Sequence, residues 1–315
     1  MKKILIGYPL NHYREFKNLI EPLSDAYQVV MKDYDYAWLK RNIQNFDVVI
    51  PSLKVVIDDR IIDKAKNLKL IFTPTTGVDH IRINKRKRNI SVLSLNNFRN
   101  KIASISSSAE LGFALILALA RKIHLAHRDV VEYRYWERNR FIGNQLKDKV
   151  LGIIGLGRIG KKIARYGNAF NMKVQYWDRL PYKQWRRQRR LNYLLSSSDI
   201  IVLTVPLSAM THHLINRDNL AYIKKGAFLV NISRGSCIDE KAICFALKKG
   251  ILAGLGTDVL ESELQDYRQS PLYNYAQKNP QTNIIITPHI GGATIEAWKQ
   301  VFSIIFNHIL KKKPL

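Results

Sequence analysis

The sequence predicts an α/β protein with two doubly wound parallel-sheet domains, and three features of the chain predict it. Its 315 residues suffice for two cores of ordinary size without metals or disulfides. From Lys149 onward, short β-branched apolar runs alternate with helical stretches, the pattern of a parallel sheet covered on both faces. Residues 1–100 show a weaker version of the same alternation.

In chain order, strands are expected at residues 3–6, 48–50, 70–73 and 92–95, which make the smaller domain. A helix over Ser107–Arg121 follows, its Leu111, Leu115 and Leu119 sharing one face at intervals of four, and it is expected to link the two domains. Six more strands are expected at residues 150–154, 173–177, 200–205, 227–232, 252–257 and 284–287. Helices over residues 159–170 and 239–249 supply what a right-handed βαβ connection needs. Because the last strand stops at Pro288, residues 291–315 are expected to return to the first domain. The resulting division is residues 1–100 with 290–315, and an inserted domain over residues 101–289. A ligand cleft is expected between them at the carboxyl ends of the strands.

An apolar fraction of 46% with 24% charged residues excludes disorder and collagen-like repeats. Fifty-one Lys and Arg against twenty-five Asp and Glu leave a net charge of +26, which raises polyanions or anionic substrates as partners. The charge gathers in two clusters, Arg82 with Lys85, Arg86, Lys87 and Arg88, and Arg179 with Lys183, Arg186, Arg187, Arg189 and Arg190, besides a basic tail from Lys311 to Lys313. Charge runs are ordinarily solvated faces, so nucleic acid is not expected as a partner. Cys237 and Cys244 fit neither a redox pair nor a zinc framework, and no metal is expected. The N-terminus lacks the apolar stretch of a signal peptide, and the longest apolar run, residues 111–120, is too short to span a bilayer. A cytoplasmic protein is expected.

The strongest local signal is Gly155-Leu156-Gly157-Arg158-Ile159-Gly160, directly after an apolar strand and opening a helix. The first glycine permits the tight turn, the second lets backbone approach a pyrophosphate, and the third lets helix and strand pack closely. Asp178 follows eighteen residues beyond Gly160 at the end of the next strand. A carboxylate there accepts hydrogen bonds from ribose hydroxyls and repels a 2′-phosphate, which favours NAD over NADP, with Arg179 next door arguing the other way. Three further runs, residues 231–235, 257–263 and 287–292, each lie at the carboxyl end of an expected strand. They contain Arg234, Glu263 and His289. Reduction of a 2-keto acid needs a cation to grip the carboxylate and polarise the carbonyl, and a planar guanidinium suits it. It also needs a proton donor at the carbonyl oxygen, for which histidine is suited, and an acid to fix the histidine tautomer. Arg234, His289 and Glu263 fit these roles.

The chain resembles the D-isomer-specific 2-hydroxyacid dehydrogenases. The resemblance runs from about Val48 to about Val301, through Thr76-Gly77-Val78-Asp79-His80, Ser108-Ala109-Glu110, the glycine turn with Asp178, Val205-Pro206-Leu207, the run ending at Gly235, Asp258 with Glu263, and Thr287-Pro288-His289. It implies a Rossmann NAD-binding domain inserted in a smaller flavodoxin-like substrate domain, and a homodimer. It implies that Arg234, Glu263 and His289 are catalytic and that backbone N–H groups around Thr76 and Gly77 hold the carboxylate of a small 2-hydroxy or 2-keto acid, with Arg234 and His289 also touching it. It implies cofactor contacts from Gly155, Gly157, Arg158, Ile159, Gly160, Asp178, Val205, Pro206, Thr211, Ile232, Ser233, Arg234 and Asp258, with Asp258 near the nicotinamide carboxamide. The chain departs from the family where Leu264 follows Glu263 in place of the common proline, and where Ser108 replaces a usual valine. The family resemblance also extends to corepressors of the same fold, so the alternative expectation is a non-enzymatic NAD-dependent interaction protein or polyanion binder.

Overall fold

Strand residues that point alternately to opposite faces decide how the layers form. The computed structural model describes residues 1–84 and 89–311. Its strands are β1 (Lys3–Ile6), β2 (Gln28–Met31), β3 (Val48–Ile50), β4 (Ile57–Asp58), β5 (Leu70–Thr73), β6 (Ile81–Arg82), β7 (Ser91–Ser94), β8 (Val150–Ile154), β9 (Lys173–Trp177), β10 (Arg186–Arg187), β11 (Ile200–Leu203), β12 (Ala227–Asn231), β13 (Leu252–Thr257) and β14 (Ile284–Ile286). The α-helices are α1 (Lys17–Ala26), α2 (Tyr36–Asn42), α3 (Asp59–Ile62), α4 (Ser107–Arg121), α5 (Ile123–Val131), α6 (Arg158–Ala169), α7 (Leu191–Ser197), α8 (Glu240–Lys248), α9 (Pro271–Lys278) and α10 (Ile295–Lys311). The chain falls into two units, Met1–Ile105 with Ala293–Leu315, and Ser106–Gly292.

The first unit holds a five-stranded sheet in the order β2-β1-β3-β5-β7, with every pairing parallel. On one face Ile4, Ile6, Val48, Ile50 and Phe72 pack against Leu23 of α1 and Phe302 and Ile305 of α10. On the other, Leu5, Val49 and Ile71 meet Leu39, Ile43 and Ile61. Each such fully buried side chain contributes about 1.5–3 kcal/mol, so the return of the C-terminal helix completes half of this core. The order corresponds to the flavodoxin-like arrangement.

The second unit holds a seven-stranded, all-parallel sheet in the order β10-β9-β8-β11-β12-β13-β14. Ile201, Leu203 and Leu229 face α7 and α8, with Leu194, Ala242 and Ile243. Ile200, Val202, Phe228 and Val230 face α4 and α6, with Phe113, Ile116 and Ile163. Strand order reverses between β8 and β11, the switch point at which a doubly wound sheet binds ligands.

Four strands escaped the sequence pattern: β4 and β6, two residues each and paired with one another, and the edge strands β2 and β10. β2 is a partly exposed edge strand, and β10 consists of two exposed arginines, so neither shows apolar alternation. The expected strand over residues 200–205 stops at Leu203 because the Thr204 hydroxyl turns back onto the Gly155 carbonyl. Helix α4, expected as a link, falls in the second unit and packs into its core. Arg179, Lys183, Arg186, Arg187, Arg189 and Arg190 are all exposed around β10, whereas Lys85, Arg86, Lys87, Arg88, Lys312 and Lys313 lie outside the described residues. Both cysteines are free thiols. Among the described residues no helix is long and apolar enough to cross a membrane.

Candidate active site

The glycine turn follows β8 and leads into α6. Gly155 has φ +92°, a left-handed conformation that side chains resist, and a Cβ there would meet Val205 at 2.7 Å. A Cβ on Gly160 would lie 2.3 Å from the Gly155 carbonyl oxygen, so helix and turn touch backbone to backbone. A Cβ on Gly157 would enter open space. Gly157 is also the N-cap of α6 and offers no side-chain acceptor, which leaves the first-turn N–H groups for an external anion. Open space in front of an uncapped twelve-residue helix is what a dinucleotide pyrophosphate requires.

The remaining cofactor candidates surround this cradle. Arg158 and Ile159 begin α6, and burial pulls the Arg158 guanidinium pKa down. Asp178, just past β9, accepts a hydrogen bond from Leu156 N at 2.7 Å and another from Leu180 N at 3.0 Å. Its carboxylate thereby ties the glycine turn to the neighbouring strand end. Arg187 folds inward onto the carbonyls of Asp178 and Arg179 at 2.8 and 2.6 Å. Val205 and Pro206 follow β11, and Thr211 closes their loop by donating to Pro206 O at 2.7 Å and accepting from Ser208 N at 2.8 Å.

Three strand ends supply the acid–base group. Asn231, Thr257 and Ile286 are register partners across β12, β13 and β14, so the segments that follow leave the same edge side by side. Buried Asn231 accepts from Ser233 N and donates to Arg234 O, both at 3.0 Å. Its side chain thus spans the turn of Ile232, Ser233 and Arg234, and Arg234 Nη1 donates to Ser233 O at 2.9 Å. Glu263 accepts from Leu260 N at 3.0 Å through one oxygen and meets His289 Nδ1 at 2.8 Å through the other. The ring nitrogen committed to Glu263 is Nδ1, so Nε2 is the atom available for proton exchange.

His289 has φ +54°, which costs about 1–2 kcal/mol for a residue with a side chain. Asp258 sustains it: His289 N donates to Asp258 O at 2.9 Å, while the Asp258 carboxylate accepts from Thr287 Oγ1, Ile290 N and Gly291 N at 2.6 to 2.8 Å. Burial pushes the Asp258 carboxyl upward, against the pull of these three donors and of His289. Both of its oxygens serve the histidine segment. Glu240, nearly fully buried, accepts from Glu261 N at 2.9 Å and Ser270 Oγ at 2.6 Å and so anchors the Glu263 segment from behind.

Asn231, Glu240 and the bracing role of Asp258 were missed from sequence. A polar residue closing an otherwise apolar strand is the one signal that marks Asn231. Thr76 and Gly77 belong to the first unit, after β5. Their loop is braced by Thr75 Oγ1 donating to Gly77 O at 2.6 Å and by the buried Thr73–His80 contact at 3.0 Å.

A dinucleotide cradle on the same sheet as a carboxylate-held histidine defines a nicotinamide-dependent oxidoreductase. Comparison with known proteins specifies the kind. The profile of the D-isomer specific 2-hydroxyacid dehydrogenases, NAD binding domain, matches residues 113–291. Glyoxylate reductase of Pyrococcus horikoshii is 33% identical over 310 residues, covering 93% of this chain and 89% of its own length. D-3-phosphoglycerate dehydrogenase of Bacillus subtilis is 33% identical over 302 residues, covering 93% of this chain and 54% of its own length. The crystal structure of D-lactate dehydrogenase from Aquifex aeolicus, complexed with NAD and lactic acid, superposes with a TM-score of 0.83 at 26% identity, over 99% of this chain and 95% of that one. The chain belongs to the D-isomer specific 2-hydroxyacid dehydrogenases. It is an NAD-dependent enzyme that interconverts 2-hydroxy and 2-keto acids.

Proposed function

We propose that this enzyme reduces a small 2-keto acid of the glyoxylate kind, with His289 as the acid, Glu263 as its partner and Arg234 as the substrate clamp. The observation that carries the reading is the 2.8 Å contact between His289 Nδ1 and Glu263. Bound in the cradle of the glycine turn and α6, the nicotinamide cofactor would supply the hydride that carbon 2 of the keto acid receives. His289 Nε2 gives its proton to the carbonyl oxygen, and in the reverse direction takes it from the hydroxyl. Glu263 keeps the other ring proton on Nδ1 and so presents Nε2 to the substrate. Arg234 pairs with the substrate carboxylate and polarises the carbonyl, and the backbone N–H groups of Thr76 and Gly77 share that carboxylate. The glycine turn and the first turn of α6 take the pyrophosphate, Asp178 the ribose hydroxyls, and Val205, Pro206, Thr211, Ile232, Ser233 and Asp258 line the rest of the cofactor site.

The preference for glyoxylate is supported by the glyoxylate reductases among the relatives. A homodimer is supported by apolar side chains left exposed on and after α5, with Trp136 90%, Ile142 75% and Val131 62% exposed. Free thiols agree with a cytoplasmic location. A panel of glyoxylate, pyruvate, hydroxypyruvate and 3-phosphohydroxypyruvate, followed by NADH absorbance, tests the assignment. Glyoxylate is expected to give the highest kcat/KM, and His289→Ala is expected to cut kcat by about 10²–10⁴-fold with NADH binding retained. Activity retained in that variant, or no turnover of any of the four acids, overturns the reading.

A further inference from the structure

A second cluster of ligating side chains lies outside the acid–base group. His212 and His213, in the loop after β11, meet Glu261, in the segment after β13. Glu261 Oε1 is 3.0 Å from His213 Nε2 and 3.9 Å from His212 Nε2. Among the described residues these are the one group of three His, Cys, Asp or Glu side chains whose ligand atoms converge, all within 4.8 Å of one another. We propose that His212, His213 and Glu261 bind a divalent transition-metal ion of the zinc class, as a clasp between two loops.

The backbone is arranged for it. Neighbouring side chains on a regular chain diverge, yet the two imidazoles stack with centroids 4.0 Å apart and planes 26° apart. His213 achieves this by adopting φ +45°, a left-handed conformation that costs about 1–2 kcal/mol. It is held there by His213 N donating to Ser236 O at 2.8 Å and by the bridge between Ile215 and Ile238. On the other side, Glu261 N is fixed at 2.9 Å by buried Glu240. Zinc–nitrogen and zinc–oxygen bonds of about 2.0–2.1 Å put neighbouring ligand atoms roughly 3.3 Å apart on a tetrahedral ion. Glu261 and His213 already lie closer than that, and His212, with 54% of its side chain exposed, is at liberty to swing in. Two imidazoles and a carboxylate suit zinc, cobalt or nickel and leave a fourth position to water.

The ion would join the loop that carries Thr211 to the segment that carries Glu263, without touching the acid–base pair. An ion pair between His213 and Glu261 alone would serve as an ordinary brace, and in that case His212 has no part.

The test uses tag-free, chelator-stripped full-length protein titrated with Zn²⁺ by calorimetry and with Co²⁺ by visible absorption. One equivalent is expected to bind, and His212→Ala and Glu261→Gln are each expected to weaken it by at least about tenfold. His289→Ala, which removes the other His–Glu pair, is expected to leave that equivalent in place. Thermal unfolding in the presence of Zn²⁺ should rise for the parent and not for His212→Ala. Absence of a stoichiometric site, binding indifferent to His212→Ala, or binding abolished by His289→Ala overturns the proposal. None of these outcomes depends on whether the enzyme turns over glyoxylate.

Discussion

Gly235 sets the distance between the Arg234 turn and the Glu263 segment, and replacing it tests whether that distance matters. A Cβ there would stand 2.0 Å from Leu260 C, 2.2 Å from Glu261 N and 2.4 Å from Leu260 O. Real Cβ atoms essentially never come within 3.0 Å of such atoms, so in Gly235→Ala the two segments must part by at least 1.0 Å. All three obstacles are backbone, so no side chain can swing aside. Overpacking of this kind costs roughly 1–3 kcal/mol of stability. Misplacement of catalytic groups by about 1 Å costs on the order of 10²-fold in rate. The assay is steady-state keto-acid reduction below the melting temperature, beside a thermal unfolding curve. Gly250→Ala is the control: its φ is +65° and a Cβ there would meet nothing within 4 Å, so it should lose stability by strain and keep its kcat. Wild-type kcat/KM in Gly235→Ala, or equal losses of activity in both variants, would refute the idea that this contact aligns Arg234 with Glu263.

Glu263→Gln keeps an acceptor for His289 Nδ1 but removes the negative charge that faces the ring, so kcat for keto-acid reduction should fall by at least about tenfold with NADH binding retained, and an unchanged kcat would separate the two residues functionally. Asp178→Asn retains an acceptor for Leu156 N, and the NADH over NADPH ratio of kcat/KM should fall by at least about tenfold as repulsion of a 2′-phosphate is lost; a constant ratio would exclude Asp178 as the discriminator. Burial, with a smaller contribution from Arg128, brings His124 on α5 from 6.5 down to about 4, so the folded state prefers the neutral ring. The stability this group contributes is complete above 6.5 and is lost as pH falls toward about 4. His124→Leu should therefore flatten the melting temperature over that window, and parallel acid limbs for parent and variant would contradict it.

Local patterning alone made much of this protein legible. Central strands such as β8, β11 and β12 are buried on both faces and so read as continuous apolar runs, whereas β2 and the two-arginine β10 sit at sheet edges where no such demand exists. The glycine turn was readable because each glycine answers a backbone constraint within a few residues of itself. The roles of Arg234, Glu263 and His289 could be proposed from chemistry and motif order, but their meeting could not, since His289 and Glu263 lie 26 residues apart and touch only after β13 and β14 pair. Asp258, Asn231 and Glu240 escaped notice as braces for the same reason. A buried carboxylate or amide is identified by the backbone donors it satisfies, and those donors arrive from segments up to 33 residues away once the sheet has closed. The His212–His213–Glu261 cluster is further still from local legibility, since His213 and Glu261 lie 48 residues apart in two different loops. Side-chain periodicity is a property of neighbours in the chain, while a site is a property of neighbours in space, and the parallel sheet converts one into the other by bringing the carboxyl ends of distant strands to one edge.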